Sequence, residues 1–391
     1  MFNTIQWPTW PRYSERHKEA VIEVIESNQI FAATKVKEFE EKFTSFLGGG
    51  NSVGVSNATT GLHLALAALG VGKGDEVVVT PYSWISSASS ILMQNAIPIF
   101  ADIEDVTFGL DPDEVKSKIT AKTKAVICVH MFGNPCNLEQ ISAICEEKNV
   151  PLIEDASHAH GAKHKGRAIG TFADISVFSL HQRKNLSVGE GGIVFSKNKE
   201  LADKIGKLRS FGHEELSYNY RMTEFAGALG IVGLETISAE NELRNATANY
   251  LLKCLEGNPF LELVTPRSHD YGVFHAALLK VNEPPEGGLD LLLQNLQQFG
   301  IPIKKTWNPL HTHPHFNPTS PPPRGAPWID DNYSGLMHRK KYSELNLPVT
   351  AEFVPNRLLE LPIHPPTSRP EIDFFLEKLE VLTHQKVKHS R

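Results

Sequence analysis

Short apolar runs alternate with helix-like segments through the first half of the chain, and this alternation restricts the possible folds more than any other feature. Val77-Val78-Val79, Ile97 to Phe100, Ala125 to Val129 and Leu152-Ile153 each precede or follow a helical stretch. Short buried strands joined through helices need crossover connections, which predicts an α/β domain with a largely parallel sheet covered on both faces. Upstream, residues 14 to 31 and 33 to 48 read as helices, the second with Val36, Phe39, Phe43, Phe46 and Leu47 at steps of three and four. Asp111 before Pro112, and Asn137 before Leu138 to Glu147, are expected helix caps.

A long helix is expected from Thr223 to about Cys254, then a strand over Tyr271 to Val281 and helices over Leu289 to Phe299 and Glu371 to Leu382. At 391 residues the chain exceeds what one core usually serves. The expected division is an N-terminal arm and first helix over 1–30, a large domain over 31–240 and a small C-terminal domain over 241–391. Trp7-Pro8-Thr9-Trp10-Pro11 is expected to be an extended arm packed on this subunit or a neighbour. Asn317 to Pro327, with five prolines, reads as a loop, a surface excursion or an active-site rim.

A net charge of −6 without long like-charge runs argues against nucleic acid or a membrane surface as the main partner. The basic end, residues 384 to 391, reads as a frayed terminus. The expected location is cytoplasmic, since no signal-like start or membrane-length apolar run is present. Cys128, Cys136, Cys145 and Cys254 show no Cys-x-x-Cys spacing and read as reduced packing residues.

Four strand-end segments carry candidate chemistry. Ser179 leaves the apolar run Ile175 to Phe178, and Lys184 follows in the turn, where parallel sheets place ligands. A desolvated lysine next to a cation such as Arg183 can lose its proton and form an imine. The bland reading is a solvated loop lysine. Asp155 ends the Leu152-Ile153 run and is either a partner for a cofactor ring nitrogen or a helix cap. Ser56 to Thr60 open a helix whose free amides suit a phosphate, with Thr59 adding a hydroxyl, although such residues are usually only caps. Trp84 follows the Val77 to Val79 run and suits either ring stacking or the core.

With these segments in place, the chain resembles the DegT, DnrJ and StrS family of sugar aminotransferases, fold-type-I enzymes dependent on pyridoxal 5'-phosphate (PLP). Matching segments include residues 56 to 60, Gly74 to Pro81, Val129 to Gly133, Glu154-Asp155, Phe178 to Gly192 and Tyr218 to Met222. The resemblance implies a mainly parallel seven-stranded sheet in a large domain, with a smaller C-terminal α/β domain. It implies Lys184 as the Schiff-base and proton-transfer lysine, Asp155 as the pyridine-nitrogen partner and His158 as a catalytic neighbour of the cofactor. Thr59 and Ser179 are implied phosphate ligands with Ala58 beside them, and Trp84 the stacking ring. Ala58 stands where most relatives have Gly, and Trp84 where Phe is common. Asn219 is implied to reach the phosphate of a neighbouring subunit, hence a homodimer with shared sites. Arg221 and His311 are candidate substrate contacts.

The implied reaction takes an amino group from glutamate or glutamine to a ketone, with nucleotide-linked keto sugars ahead of ketocyclitols or a route to 3-amino-5-hydroxybenzoate. A PLP-binding regulator without turnover is the reading of a different class. A dinucleotide-binding dehydrogenase is rejected because no Gly-x-Gly-x-x-Gly turn follows an early strand. His311, His313 and His315 alternate as ligands might, but Pro314 and the lack of nearby carboxylates argue for a rim contact and no metal.

Overall fold

The computed structural model describes residues 4–31, 33–211, 216–283, 285, 287–317 and 342–383. The proline-rich segment beyond Asn317 and the basic end from 384 lie outside the described residues.

The strands in chain order are β1 (Asn51–Val55), β2 (Glu76–Val79), β3 (Ile97–Phe100), β4 (Thr123–Val129), β5 (Leu152–Asp155), β6 (Lys163–His164), β7 (Arg167–Ala168), β8 (Ile175–Ser179) and β9 (Gly192–Ser196). Seven of them form a sheet in the order β1-β9-β8-β5-β4-β2-β3. Its neighbours run parallel except around β9, which is antiparallel to both β1 and β8. The expected α/β architecture is therefore present. Strands such as Val77 to Val79 are buried on both sides, so they read as unbroken apolar runs and not as alternating ones.

One face is covered by the helix Thr34–Phe46, whose fully buried Phe39 and Phe43 sit in a cluster with Phe178 and Phe195. The other carries the helix Ala58–Ala68, with Leu62, Leu64 and Leu66 packed among Val55, Val177 and Val194.

The C-terminal third adds β10 (Leu261–Leu263), β11 (Asp270–Tyr271), β12 (Ala277–Val281), β13 (Lys304–Lys305) and β14 (Leu358–Leu361). Four of these make an antiparallel sheet, β10-β12-β14-β13, with its own apolar cluster formed with the helices Leu289–Gln298 and Arg369–Thr383. The helix Glu224–Leu255 reaches from the first cluster, through Ala226 and Ile231, to this one, through Leu251 and Leu255. Residue 240 lies inside that helix, so the change of sheet occurs along a helix and not at a linker.

Three local expectations need correction. The strand expected over Tyr271 to Val281 divides into β11 and β12, because Val273 and His275 donate instead to the carbonyls of Gly133 and Phe132. Asn137 occupies the start of the helix Leu138–Lys148, but its amide donates to Gln140 at 2.9 Å and its side chain makes no cap bond. Asp111, by contrast, caps as expected and accepts from the Asp113 amide at 2.8 Å. The first helix ends at Ser27, where Asn28 takes a left-handed conformation at φ 56°.

The arm folds back on its own chain. Trp7 is buried in the C-terminal cluster and donates to the Pro362 carbonyl at 3.1 Å. Among the described residues, no helix is long and apolar enough to cross a membrane.

The helix Thr34–Phe46 begins at Ala33, which has no capping side chain. Its free amides are answered from far along the chain, by the buried carboxylate of Glu224. Oε1 accepts from Ala33 at 2.6 Å and Val36 at 3.0 Å, and Oε2 accepts from Lys35 at 2.7 Å. Charge-assisted bonds to helix amides are stronger than neutral ones. Glu224→Ala should therefore destabilise the protein by about 2–4 kcal/mol in urea unfolding, and Glu224→Gln by about half as much. A change within experimental scatter would show that the carboxylate does not hold this helix.

Candidate active site

Lys184 lies in the turn joining β8 to β9. The turn is fixed by Gln182 N to Gly189 O and Val188 N to Leu180 O, at 2.8 and 2.9 Å. The Lys184 backbone is anchored as well: its amide donates to His181 O at 2.8 Å, and its carbonyl accepts from the Trp10 indole at 2.9 Å. Trp10 is itself stacked on His364 and lies against the Arg244 guanidinium. The arm thus holds the lysine's main chain, a role that its sequence does not reveal.

Burial pushes the Lys184 amine down from its ordinary value to about 8, against the opposing pull of the Asp155 carboxylate. Arg183, the adjacent cation, adds a smaller downward push. At pH 7 about a tenth of the amines are then neutral, roughly 300 times the fraction of an ordinary lysine. The rate at which the cofactor-free protein captures an aldehyde, followed in visible absorbance, should rise with pH to a midpoint near 8. A rise that continues to pH 10 would place the amine in solvent.

Asp155 ends β5, which pairs with β8 through Asp155 and Val177. Its Oδ2 accepts from Ser87 Oγ at 2.7 Å, Ser87 is held by Ser83 at 2.8 Å, and Oδ1 accepts from the Ser157 amide at 3.2 Å. The carboxylate is thus buried and oriented by groups from two strand ends. The Ser157 bond also gives it the local turn-capping role that was its bland alternative.

His158 is buried, and its Nδ1 accepts from the Phe132 amide at 3.3 Å, which leaves the proton on Nε2. Burial, with the Lys184 charge next, holds its basicity far below the ordinary range. The imidazole is therefore neutral. Its ring stacks on His275, with centroids 4.4 Å apart at 10°. Trp307 lies 5.8 Å from His158 and 6.0 Å from Trp84, joining them into one aromatic group. Trp84, 54% exposed, has a free surface beside the buried members.

Asn57 Oδ1 caps the helix Ala58–Ala68 by accepting from Thr60 N at 3.0 Å, and the first intrahelical bond is Gly61 N to Asn57 O. The amides of Ala58 and Thr59 precede it. The Thr59 hydroxyl meets Ser86 Oγ at 2.7 Å. β9 presses against this turn: a Cβ on Gly192 would lie 2.8 Å from Asn57 C and 2.9 Å from Ala58 N. Ala58 sits in helical backbone with its methyl buried. Ser179, at the end of β8, accepts from the His181 amide at 3.3 Å.

The other candidates have different partners. Asn219 accepts from Arg221 Nε at 3.1 Å, and the Arg221 guanidinium lies over Phe211 at 4.2 Å and Phe31 at 4.9 Å. Their partners are each other and two exposed rings, beside the β1 edge, where Arg221 bridges Val55. His311 is buried against Phe100, with Nδ1 lacking a hydrogen-bond partner among the described residues. His313 and His315 instead approach each other, with Nδ1 atoms 3.1 Å apart.

Residues 11–338 match the model of the DegT/DnrJ/EryC1/StrS aminotransferase family. The chain belongs to this family. The aminotransferase is 34% identical over 321 residues to the GDP-perosamine synthase of Escherichia coli O157:H7, covering 78% of this chain and 86% of that protein. Its structure is similar to that of S. venezuelae DesV, with a TM-score of 0.84, 27% identity and 95% of each chain covered. DesI, solved in the presence of its TDP-sugar product, gives a TM-score of 0.82 at 25% identity over 95% of this chain and 90% of that one.

Family membership makes PLP the cofactor of the aminotransferase. The residues present fit it. An amine of lowered basicity faces a buried carboxylate across adjacent strand ends, and a hydroxyl-bearing helix start is pressed close by a glycine.

Proposed function

We propose that this aminotransferase moves an amino group from glutamate or glutamine to the ketone of a nucleotide-linked keto sugar. The observation that carries the reading is the Lys184 amine, brought to about 8 by burial beside Asp155. The nucleotide-linked acceptor is supported by the relatives, one named for GDP-perosamine and one solved with a TDP-sugar product.

PLP, when bound, supplies a carbonyl for amine exchange and an electron-withdrawing ring that stabilises charge at the carbon losing its proton. Lys184 Nζ, in its neutral form, takes the proton from the donor's α-carbon and returns one on the way to product. Asp155 keeps a proton on the ring nitrogen. The Ala58 and Thr59 amides, with the Thr59 and Ser179 hydroxyls, hold the phosphate. His158, neutral and stacked, and Trp84 wall the ring without adding charge that would compete with Lys184.

A homodimer is part of this reading. Phe31 and Phe211 are 62% and 49% exposed beside Arg221, a surface suited to burial by a second copy. Asn219 would then serve the partner's phosphate and Arg221 its substrate, while His311 lines the acceptor side. The arm and first helix over 1–30 and the domains over 31–240 and 241–391 are part of the reading, supported by the seven-stranded and four-stranded sheets and their separate clusters, with the short β11-β6-β7 ladder joining the two. So is a cytoplasmic location, with which four buried free cysteines agree.

The test supplies PLP, glutamate or glutamine, and a panel containing GDP- and TDP-linked keto sugars, free keto sugars and a ketocyclitol. Mass spectrometry would find the ketone oxygen replaced by an amino group, fastest on a nucleotide-linked member. Faster turnover of the ketocyclitol would replace the acceptor assignment. Bound PLP with no amino exchange from any donor would make the protein a regulator.

A further inference from the structure

Away from Lys184, β6 and β11 form a short antiparallel ladder in which His164 lies opposite Asp270. At its end three ligand-type side chains converge. His164 Nδ1 is 2.7 Å from Asp270 Oδ1, and His269 Nε2 is 3.6 Å from the same oxygen. One ligand atom from each residue lies within 4.8 Å of the others. The Asp270 side chain is only 1% exposed, yet its Oδ2 has no hydrogen-bond partner among the described residues. A buried carboxylate oxygen without a donor is unfavourable unless a cation answers it.

We propose that His164, His269 and Asp270 bind one divalent cation of the zinc class, and that the ion clamps β11 onto β6. Two imidazoles and a carboxylate are ligands that such ions select. Metal–ligand bonds of about 2.0–2.2 Å put neighbouring ligand atoms roughly 3.3–3.6 Å apart in a tetrahedron, so the His269–Asp270 pair at 3.6 Å already has that spacing and the His164–Asp270 pair at 2.7 Å must open to reach it. His269, 41% exposed, leaves a route for entry and room for water to complete the shell. Binding through His164 Nδ1 selects the tautomer with its proton on Nε2, exchanges the hydrogen bond for a metal bond, and gives Asp270 Oδ2 a counter-charge. A neighbouring carboxylate, Glu139, is already paired with Lys165 at 2.7 Å.

The clamp bears on the active site through the chain that follows it. Five residues beyond Asp270, His275 stacks on His158. Between them the Val273 carbonyl accepts from Asn185, the residue after Lys184, at 3.0 Å. Fixing Asp270 therefore tightens the segment that carries His275 to the cofactor wall.

Full-length PLP-loaded protein, stripped with a chelator, would be dialysed against zinc chloride and its bound zinc counted. About one zinc per chain is expected, weakened at least tenfold in His269→Ala. His313→Ala, altering the other histidine pair, should bind as the wild type does. Zinc should also slow amide hydrogen exchange over residues 269–275 in the wild type and leave it unchanged in His269→Ala. Because His269 is exposed, that variant decides the matter even if Asp270→Asn fails to fold. Absence of binding near one per chain, or equal affinity in His269→Ala, overturns the proposal.

Discussion

Lys184→Ala will lose at least about 10⁴-fold in turnover with any donor and acceptor pair, because the variant lacks both the imine-forming amine and the group that moves the proton. Arg183 cannot substitute: it is exposed, and a guanidinium does not deprotonate at working pH. The visible band of the PLP-loaded wild type should be missing or displaced in the variant and should not bleach with glutamate. Circular dichroism should remain unchanged, since the turn is held by backbone bonds and by Trp10. Turnover within about tenfold of wild type would remove Lys184 from the chemistry.

Asp155→Asn should lower turnover by roughly 10²–10⁴-fold while preserving the side chain's volume. The reason is charge: a neutral amide cannot hold the ring nitrogen protonated. A second readout separates this from a general loss of structure. Asp155 pulls the Lys184 amine upward, so its removal should shift aldehyde capture by the cofactor-free protein to a midpoint below 8. More neutral amine alongside slower turnover is the signature expected of the carboxylate acting on the ring. If capture moves upward or stays fixed, Asp155 does not face the lysine.

The parts of this site that could be read in the sequence are those set by neighbours along the chain. Lys184, Asp155, Thr59 and Ser179 each follow an apolar run or open a helix, and the sheet order then brings β5 and β8 side by side. Groups that reach the site from elsewhere left no local pattern. Ser87 looks like any helical serine until its hydroxyl is seen on Asp155, 68 residues away. Trp307 comes from the C-terminal third, in a segment without helix or strand period, and His275 from within the expected strand, at the point where its amide turns to Phe132. The arm was legible as extended, but its bond to the Lys184 carbonyl depends on tertiary packing alone. Capping was legible only in part: Asp111 caps as expected, Asn137 turns to its neighbour Gln140, and Asp102, a strand-exit residue, accepts from the distant amides of Val349 and Thr350.

The carboxylate that starts the helix Thr34–Phe46 sets an order of events for the chain. Glu224 meets amides 188 to 191 residues upstream, so its bonds form only after a loop of that length has closed. Until then the helix has no cap of its own, and the cluster of Phe39 and Phe43 with Phe178 and Phe195 lacks the cover of Ala226 and Ile231 from the long helix. A ribosome releasing the first 200 residues would thus expose a finished strand sequence beneath an unfinished lid. Truncations ending before residue 224 should bind hydrophobic dyes and aggregate, whereas those that retain the beginning of the long helix should close that face.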